Sequence, residues 1–471
     1  MNRAVAPYAL ASLVTGVAGL LSVLALSRLL TPADYGVYAT VLTVATFGQT
    51  LGFFWLQTSL LRLHPTAADA DRARSLVGAL WLGFVLVSLG TAVAWTVGMS
   101  AATRLAGSAA AGWWGLPLLL GRSWVGVAQA HNRSTDRMAR YVATESVNGL
   151  GGVVLAALAA WLRPGSAAAP LAGLTVGALL AAAASPALLR DAPAMRDRPW
   201  PMLGEMLAYG GPLSLAVLAA AALATSDRLL VAGICGAAAA GIYTAGYSLA
   251  ERSILLTLSS VTLATKPLVF RAYETHGAEP ARALLARIAA VLMGIGFPAV
   301  AVLVAAPKRI ASVLVGPAMV EGVAALLPWV AVGALGAGLL TLHFALAFQL
   351  VRRTWAMLAV TAPAAALNIG ANVLLLPRYG SIAAAWTTVL GYAVALAIAW
   401  ALTRSTFRVP FPPRAAVRAA LACIPLVAFV RLDFRPTPGG LTVLVAGGLA
   451  VYAASAWLLD VAGIRTQRSL D

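Results

Sequence analysis

Leu76–Gly98, LVGALWLGFVLVSLGTAVAWTVG, runs for 23 residues without a charged side chain. A helix needs about 20 apolar residues to cross the hydrocarbon layer of a bilayer. The stretch is continuously apolar rather than alternating, so it predicts a helix and not a barrel strand. Arg72 and Arg74 stand just before it and Arg104 shortly after. Working outward, the same reading finds thirteen more such stretches: 6–27, 37–61, 109–131, 141–162, 169–189, 207–226, 229–265 (with a break near Gly236–Gly241), 283–305, 322–349, 355–376, 381–402, 414–431 and 439–462. No soluble domain lies between them.

Composition agrees. Hydrophobic residues make up 61% of the chain and charged residues 10%. A water-soluble protein of this size could not hide that much apolar surface, and in lipid only helices or closed barrels satisfy the backbone. The net charge of +17 raises the possibility of a nucleic-acid partner. The Arg residues, however, sit in short loops beside spans, where anionic headgroups and topology account for them, and no nucleic acid is expected. Cys235 and Cys423 both lie in apolar segments and form no metal or disulfide pattern. Neither a cofactor nor a metal is expected. The first apolar segment is read as a retained helix rather than a signal peptide.

The basic residues orient the chain. With residue 1 in the cytoplasm, the tails and even-numbered loops hold 22 of the 33 Lys and Arg, and the odd-numbered loops hold 9. Cytoplasmic loops retain positive charge, so both termini are expected inside. The remaining two, Arg122 and Arg252, fall within apolar segments.

An internal repeat divides the chain. Pro7, Gly36 and Tyr38 match Pro212, Gly241 and Tyr243 at a constant offset of 205. Gln129, Arg133 and Asn148 match Gln349, Arg353 and Asn368 at an offset of 220. Six helices per repeat give both halves one orientation, related by an axis along the membrane normal. The expected organisation is an N-terminal six-helix half (1–189), a Pro-bearing cytoplasmic linker (190–206), a C-terminal six-helix half (207–404) and two additional helices (405–471). The fold class is all-α integral membrane, with about 14 transmembrane helices.

Several motifs carry a family resemblance. The first half has Ser27-Arg28-Leu29-Leu30-Thr31-Pro32-Ala33-Asp34-Tyr35-Gly36. The second has Tyr209-Gly210-Gly211-Pro212, Ser226-Asp227-Arg228-Leu229-Leu230, Gly241-Ile242-Tyr243 and Leu376-Pro377-Arg378-Tyr379-Gly380. Over essentially the whole chain these resemble polysaccharide biosynthesis membrane proteins of the O-antigen flippase type. Those belong to the multidrug/oligosaccharidyl-lipid/polysaccharide exporter superfamily and have a MATE-like fold. The resemblance implies a transporter, not an enzyme, in a bacterial plasma membrane. It would flip an undecaprenyl-pyrophosphate-linked oligosaccharide to the outer leaflet by alternating access, for a cell-surface polysaccharide such as lipopolysaccharide. Implied partners are the lipid-linked oligosaccharide, membrane lipids and polysaccharide assembly proteins.

The site residues come from the chain itself. An ionised side chain near the bilayer centre costs at least about 2.5–3.5 kcal/mol on insertion scales and usually faces a wet cavity. Thr244, Tyr247, Ser248, Glu251, Arg252 and Ser259 have helical spacing and form one stripe. Arg122, Gln129 and Arg133 share a face of another helix. Arg donates paired hydrogen bonds to phosphate, so Arg122 and Arg252 are the expected pyrophosphate ligands, with Gln129, Tyr247 and Ser248 as polar support. Glu251 is either an ion-coupling carboxylate or the local neutraliser of Arg252. Arg28, Asp227 and Arg228 are placed at outer helix ends, as interfacial anchors or as an outer gate. Two other functions compete: a cation-coupled drug or small-molecule exporter of the same superfamily, and a membrane polymerase or glycosyltransferase. Buried Arg and fourteen spans weigh against the first. Short outer loops weigh against the second.

Overall fold

A computed structural model describes residues 2–66, 70–106, 108–185, 199–351, 353, 355–432 and 435–461. Among them every regular element is helical. The first eight helices are α1 (Asn2–Leu29), α2 (Pro32–Leu63), α3 (Ala70–Ala106), α4 (Ala109–Ser134), α5 (Met138–Leu162), α6 (Ala168–Ala183), α7 (Pro199–Cys235) and α8 (Ala237–His276). The rest are α9 (Ala278–Ala305), α10 (Pro307–Leu314), α11 (Pro317–Leu350), α12 (Ala356–Tyr379), α13 (Ile382–Thr406), α14 (Pro413–Val430) and α15 (Pro438–Leu458). Two of them carry a π-helical turn, α5 at Val147–Gly151 and α11 at Leu340–Phe344. Among the described residues, eleven helices are long and apolar enough to cross a membrane, and Leu13–Leu29 and Ala168–Ala183 are shorter apolar helices. α4 has the length, but Arg122, Gln129, His131 and Arg133 reduce its apolarity. The chain is a multi-pass membrane protein.

The helix boundaries follow local chemistry. Thr31 caps α2, with Pro32 in the first turn, where a missing N–H costs nothing. Ser108 caps α4 by accepting from the Ala111 N–H, and Thr437 caps α15 by accepting from the Gly440 N–H. Many large apolar side chains are exposed, among them Val97, Trp161, Leu374 and Ile424. In a bilayer these face acyl chains, where exposure carries no hydrophobic penalty.

The structure moves one boundary. The sequence splits spans at 226–229 because Ser226-Asp227-Arg228 reads as a polar break. The helix instead continues through this triplet to Cys235, and the break falls at Gly236, whose φ is 87°. Glycine enters this left-handed region without the steric penalty of a Cβ. Of the expected linker, 190–198 lies outside the described residues, and α7 has already begun at Pro199.

Packing groups the chain into two units, 1–241 and 242–471. In the first, α2 packs on α3, α4 and α7, while α6 packs on α4 and α5. Its core holds Phe53, Leu56, Leu60, Leu76, Leu80, Leu119 and Met206, all fully or almost fully buried. The Ser59 hydroxyl donates to the Met206 carbonyl at 2.6 Å, and a Cβ on Gly210 would meet the Trp55 backbone. Small residues that let backbones approach are the usual means of helix association in lipid. In the second unit, α11 packs on α9, α10 and α13, and α12 on α13. α14 packs on both α9 and α15. The Tyr452 hydroxyl donates to the Gly294 carbonyl at 2.6 Å and pins α15 to α9. Arg309 donates to the Val430 carbonyl at 3.0 Å and to the Leu432 carbonyl, so a cation caps the exposed end of α14.

Candidate functional site

The Arg28–Gly36 motif builds a helix junction. The Arg28 guanidinium donates to the Leu24 carbonyl at 2.7 Å, near the end of α1. The Asp34 N–H donates to the Thr31 hydroxyl oxygen at 3.1 Å, and the Thr31 hydroxyl donates to the Asp34 carboxylate at 2.6 Å. This reciprocal cap satisfies an otherwise orphaned N–H and sets an acid at the positive end of α2. Thr31→Ala is expected to cost about 1 kcal/mol, read as a lower melting temperature in detergent. Unchanged melting would deny the cap its role.

Gly36 is also a contact point. A Cβ on Gly36 would overlap the Ala237 carbonyl, and a Cβ on Gly241 would overlap the Pro32 carbonyl. Each added Cβ would also stand 2.9 Å from the other glycine's N. The first turns of α2 and α8, both within the first unit, therefore touch backbone to backbone. The contact is reciprocal under the offset of 205, which maps Pro32 onto Ala237 and Gly36 onto Gly241.

Asp227 and Arg228 are not at a helix end. Asp227 is fully buried inside α7, and its carboxylate accepts from the Arg228 N–H at 2.8 Å. Of the three residues proposed for an outer gate, only Arg28 sits at a terminus.

The first unit holds a polar network within its helices. Arg122 is half-buried near the midpoint of α4. The Gln49 amide of α2 donates to the Arg122 carbonyl at 3.2 Å. Two turns along the same face of α4, the Gln129 amide donates to one oxygen of Glu145 on α5, and the Thr15 hydroxyl of α1 donates to the other. Four helices thus contribute to one polar seam. Farther along α4, the Arg133 guanidinium lies 5.5 Å from the Tyr141 ring centroid. Glu145 is the functional candidate that the sequence reading passed over. It stands four residues inside the expected span 141–162, close to Arg137 and Arg140, and so reads as interfacial. The signal available was its carboxylate in a helix whose neighbour carries Gln129.

In the second unit the polar stripe lies on α8. Tyr247 and Ser248 are buried, while Glu251 and Arg252 are half-buried. The Tyr243 and Tyr247 rings lie 5.8 Å apart, and the Tyr243 hydroxyl is 3.5 Å from that of Thr388 on α13. On α12, Asn368 and Asn372 are both buried, and the Asn372 amide donates to the Asn368 carbonyl oxygen at 3.2 Å. Asn372 is a second residue that the sequence reading missed. Thus α4 carries Arg122 and Gln129 together, and α8 carries Tyr247, Ser248, Glu251 and Arg252 together. Chemically, α4 carries a mid-helix guanidinium on the face that holds Gln129, and α8 carries one next to Glu251 and near the Tyr247 and Ser248 hydroxyls in sequence. Such a set can bind an anion and can carry a titrating or cation-binding acid.

No curated protein sequence matches the chain. Solved structures share its fold. The lipid II flippase MurJ in an inward closed conformation gives a TM-score of 0.79 at 11% identity, over 95% of this chain and 97% of that one. An inward-facing multidrug resistance MATE family transporter of the MOP superfamily gives 0.68 at 14% identity, over 85% of this chain and 98% of that one. A MOP superfamily transporter from Pyrococcus furiosus gives 0.55 at 16% identity, over 86% and 94%. At these identities the likeness is one of fold. The polysaccharide biosynthesis protein family matches residues 25–324, more than half of the sequence, and the chain belongs to that family.

Proposed function

We propose that this protein is a flippase that moves an undecaprenyl-pyrophosphate-linked oligosaccharide from the cytoplasmic to the outer leaflet of a bacterial plasma membrane by alternating access. The observation that carries the reading is Arg122, a guanidinium at mid-helix within a multi-pass member of a polysaccharide biosynthesis family. A pyrophosphate cannot cross lipid unaided, and a preformed donor fork offsets part of its desolvation. Arg252 is the second phosphate ligand, and Gln129, Tyr247 and Ser248 are the polar support. Glu145 and Glu251 are the carboxylates available for coupling to an ion. The fold shared with a lipid II flippase supports the lipid-linked substrate class.

Glu145 favours a second reading, a cation-coupled exporter, because an acid held among neutral donors suits a cationic cargo. One assay separates the two. Vesicles containing the purified protein are loaded with lipid-linked oligosaccharide or with a cationic dye. Movement of the glycolipid between leaflets, without dye transport, is expected; dye efflux without glycolipid movement would overturn the proposal. Topology is a separate expectation. With fourteen spans and both termini cytoplasmic, a reporter fused at residue 200 reads inside and one near residue 312 reads outside. An outside reading at 200 would remove the parallel two-half arrangement, because the linker then follows an odd number of spans.

A further inference from the structure

The second unit carries a groove and a basic pocket that share one side chain. The groove encloses about 560 Å³ between α9, α11, α13 and the start of α14, with Met293, His343, Leu396, Trp400 and Phe411 on its walls. Its lining is almost wholly apolar. The pocket encloses about 410 Å³ and is lined by Trp400, Thr403, Arg404, Arg408 and Val409, with no carboxylate among them. Trp400 is the partition: it borders the groove, and the Arg404 guanidinium lies 3.6 Å from the centroid of its ring.

The turn carrying the two Arg residues is held in place. Phe407 is buried, with the Arg282 guanidinium 5.2 Å from its ring centroid and the Tyr273 ring at 5.9 Å. Val409 is buried as well. Trp400 and Phe411 nevertheless remain 43% and 59% exposed, so the groove opens outward at an aromatic pair. Exposed aromatic rings at a helix end suit the boundary between acyl chains and headgroups.

An apolar slot joined to a paired-guanidinium pocket fits an amphiphile with one anionic head. We propose that this is a binding site for an anionic glycerophospholipid of the surrounding bilayer, its phosphodiester between Arg404 and Arg408 and an acyl chain in the groove. Basic pockets beside membrane helices hold acidic headgroups by this chemistry, and Arg presents the donor geometry that phosphate accepts. The occupant is a resident lipid, whatever the cargo of the transporter.

Native mass spectrometry of the full-length protein in detergent tests this, with phosphatidylglycerol, phosphatidylethanolamine, undecaprenyl phosphate and inorganic phosphate as separate probes. Wild-type protein is expected to retain phosphatidylglycerol about tenfold more than phosphatidylethanolamine. Arg404→Gln/Arg408→Gln should reduce that ratio to about one. Leu396→Trp, which fills the groove and leaves both charges, should lower retention of both glycerophospholipids. An unchanged ratio in the double variant would overturn the site. So would retention of inorganic phosphate as strong as that of phosphatidylglycerol, which makes it a bare anion pocket. Undecaprenyl phosphate displacing phosphatidylglycerol at equal concentration would overturn it in favour of a cargo subsite.

Discussion

Gly36→Ala and Gly241→Ala are each expected to stop transport and lower the melting temperature, whereas Gly90→Ala is expected to do neither. A methyl group at either motif glycine must displace a backbone carbonyl, Ala237 in one case and Pro32 in the other. Backbone cannot rotate aside as a side chain can. Overpacking costs about 1–3 kcal/mol where side chains yield, and a backbone obstacle lies at the upper end of that range. Around Gly90 there is nothing within 4 Å of an added Cβ. There the substitution gains helix propensity, and about 0.5–1 kcal/mol of stabilisation is expected. The double variant Gly36→Ala/Gly241→Ala should cost much less than the sum of the singles, because one contact is lost in all three. Melting in detergent and glycolipid movement in vesicles measure both effects. If either motif variant melts like Gly90→Ala, the close approach is not a determinant of the fold.

The second large effect concerns Arg122 and Arg252. Ala at either position is expected to slow flipping severely while the protein still inserts and accumulates, and Lys to restore only part of the rate. A hydrogen bond to a charged group contributes about 1.5–3 kcal/mol, so losing one fork slows transport by about 10–100-fold. Lys retains the charge but supplies a point donor in place of the planar fork. The readout is the initial flipping rate normalised to protein in the vesicle. Normal rates in a well-inserted Arg122→Ala/Arg252→Ala double variant would make both residues structural.

Much of this molecule was readable from one dimension. A run such as 76–98 has a single low-energy solution in lipid, so α3 follows from it directly. Pro32 and Asp34 read as turn chemistry because turn signals act within four residues of sequence. What depends on partners elsewhere in the chain was not readable. Asp227 and Arg228 look like a loop because their hydropathy says so, yet α7 runs through them to Cys235. Glu145 looks interfacial because its partner Thr15 is 130 residues away. Gly36 and Gly241 could be matched as equivalents at a fixed offset, but nothing in the letters says that two equivalent positions touch.

Gly236 is the one residue between α7 and α8, helices of 37 and 40 residues. A one-residue joint has no slack: it can rotate, but it cannot absorb displacement. Any tilt of α8 about Gly236 would be multiplied by the length of the helix. Arg252 lies 16 residues along it, about 24 Å at 1.5 Å per residue. A tilt of about ten degrees at the pivot sweeps that guanidinium through roughly 4 Å by the same geometry. That stroke exceeds the reach of a hydrogen bond, so a small rotation at one glycine would be enough to break any hydrogen bond that the Arg252 guanidinium makes.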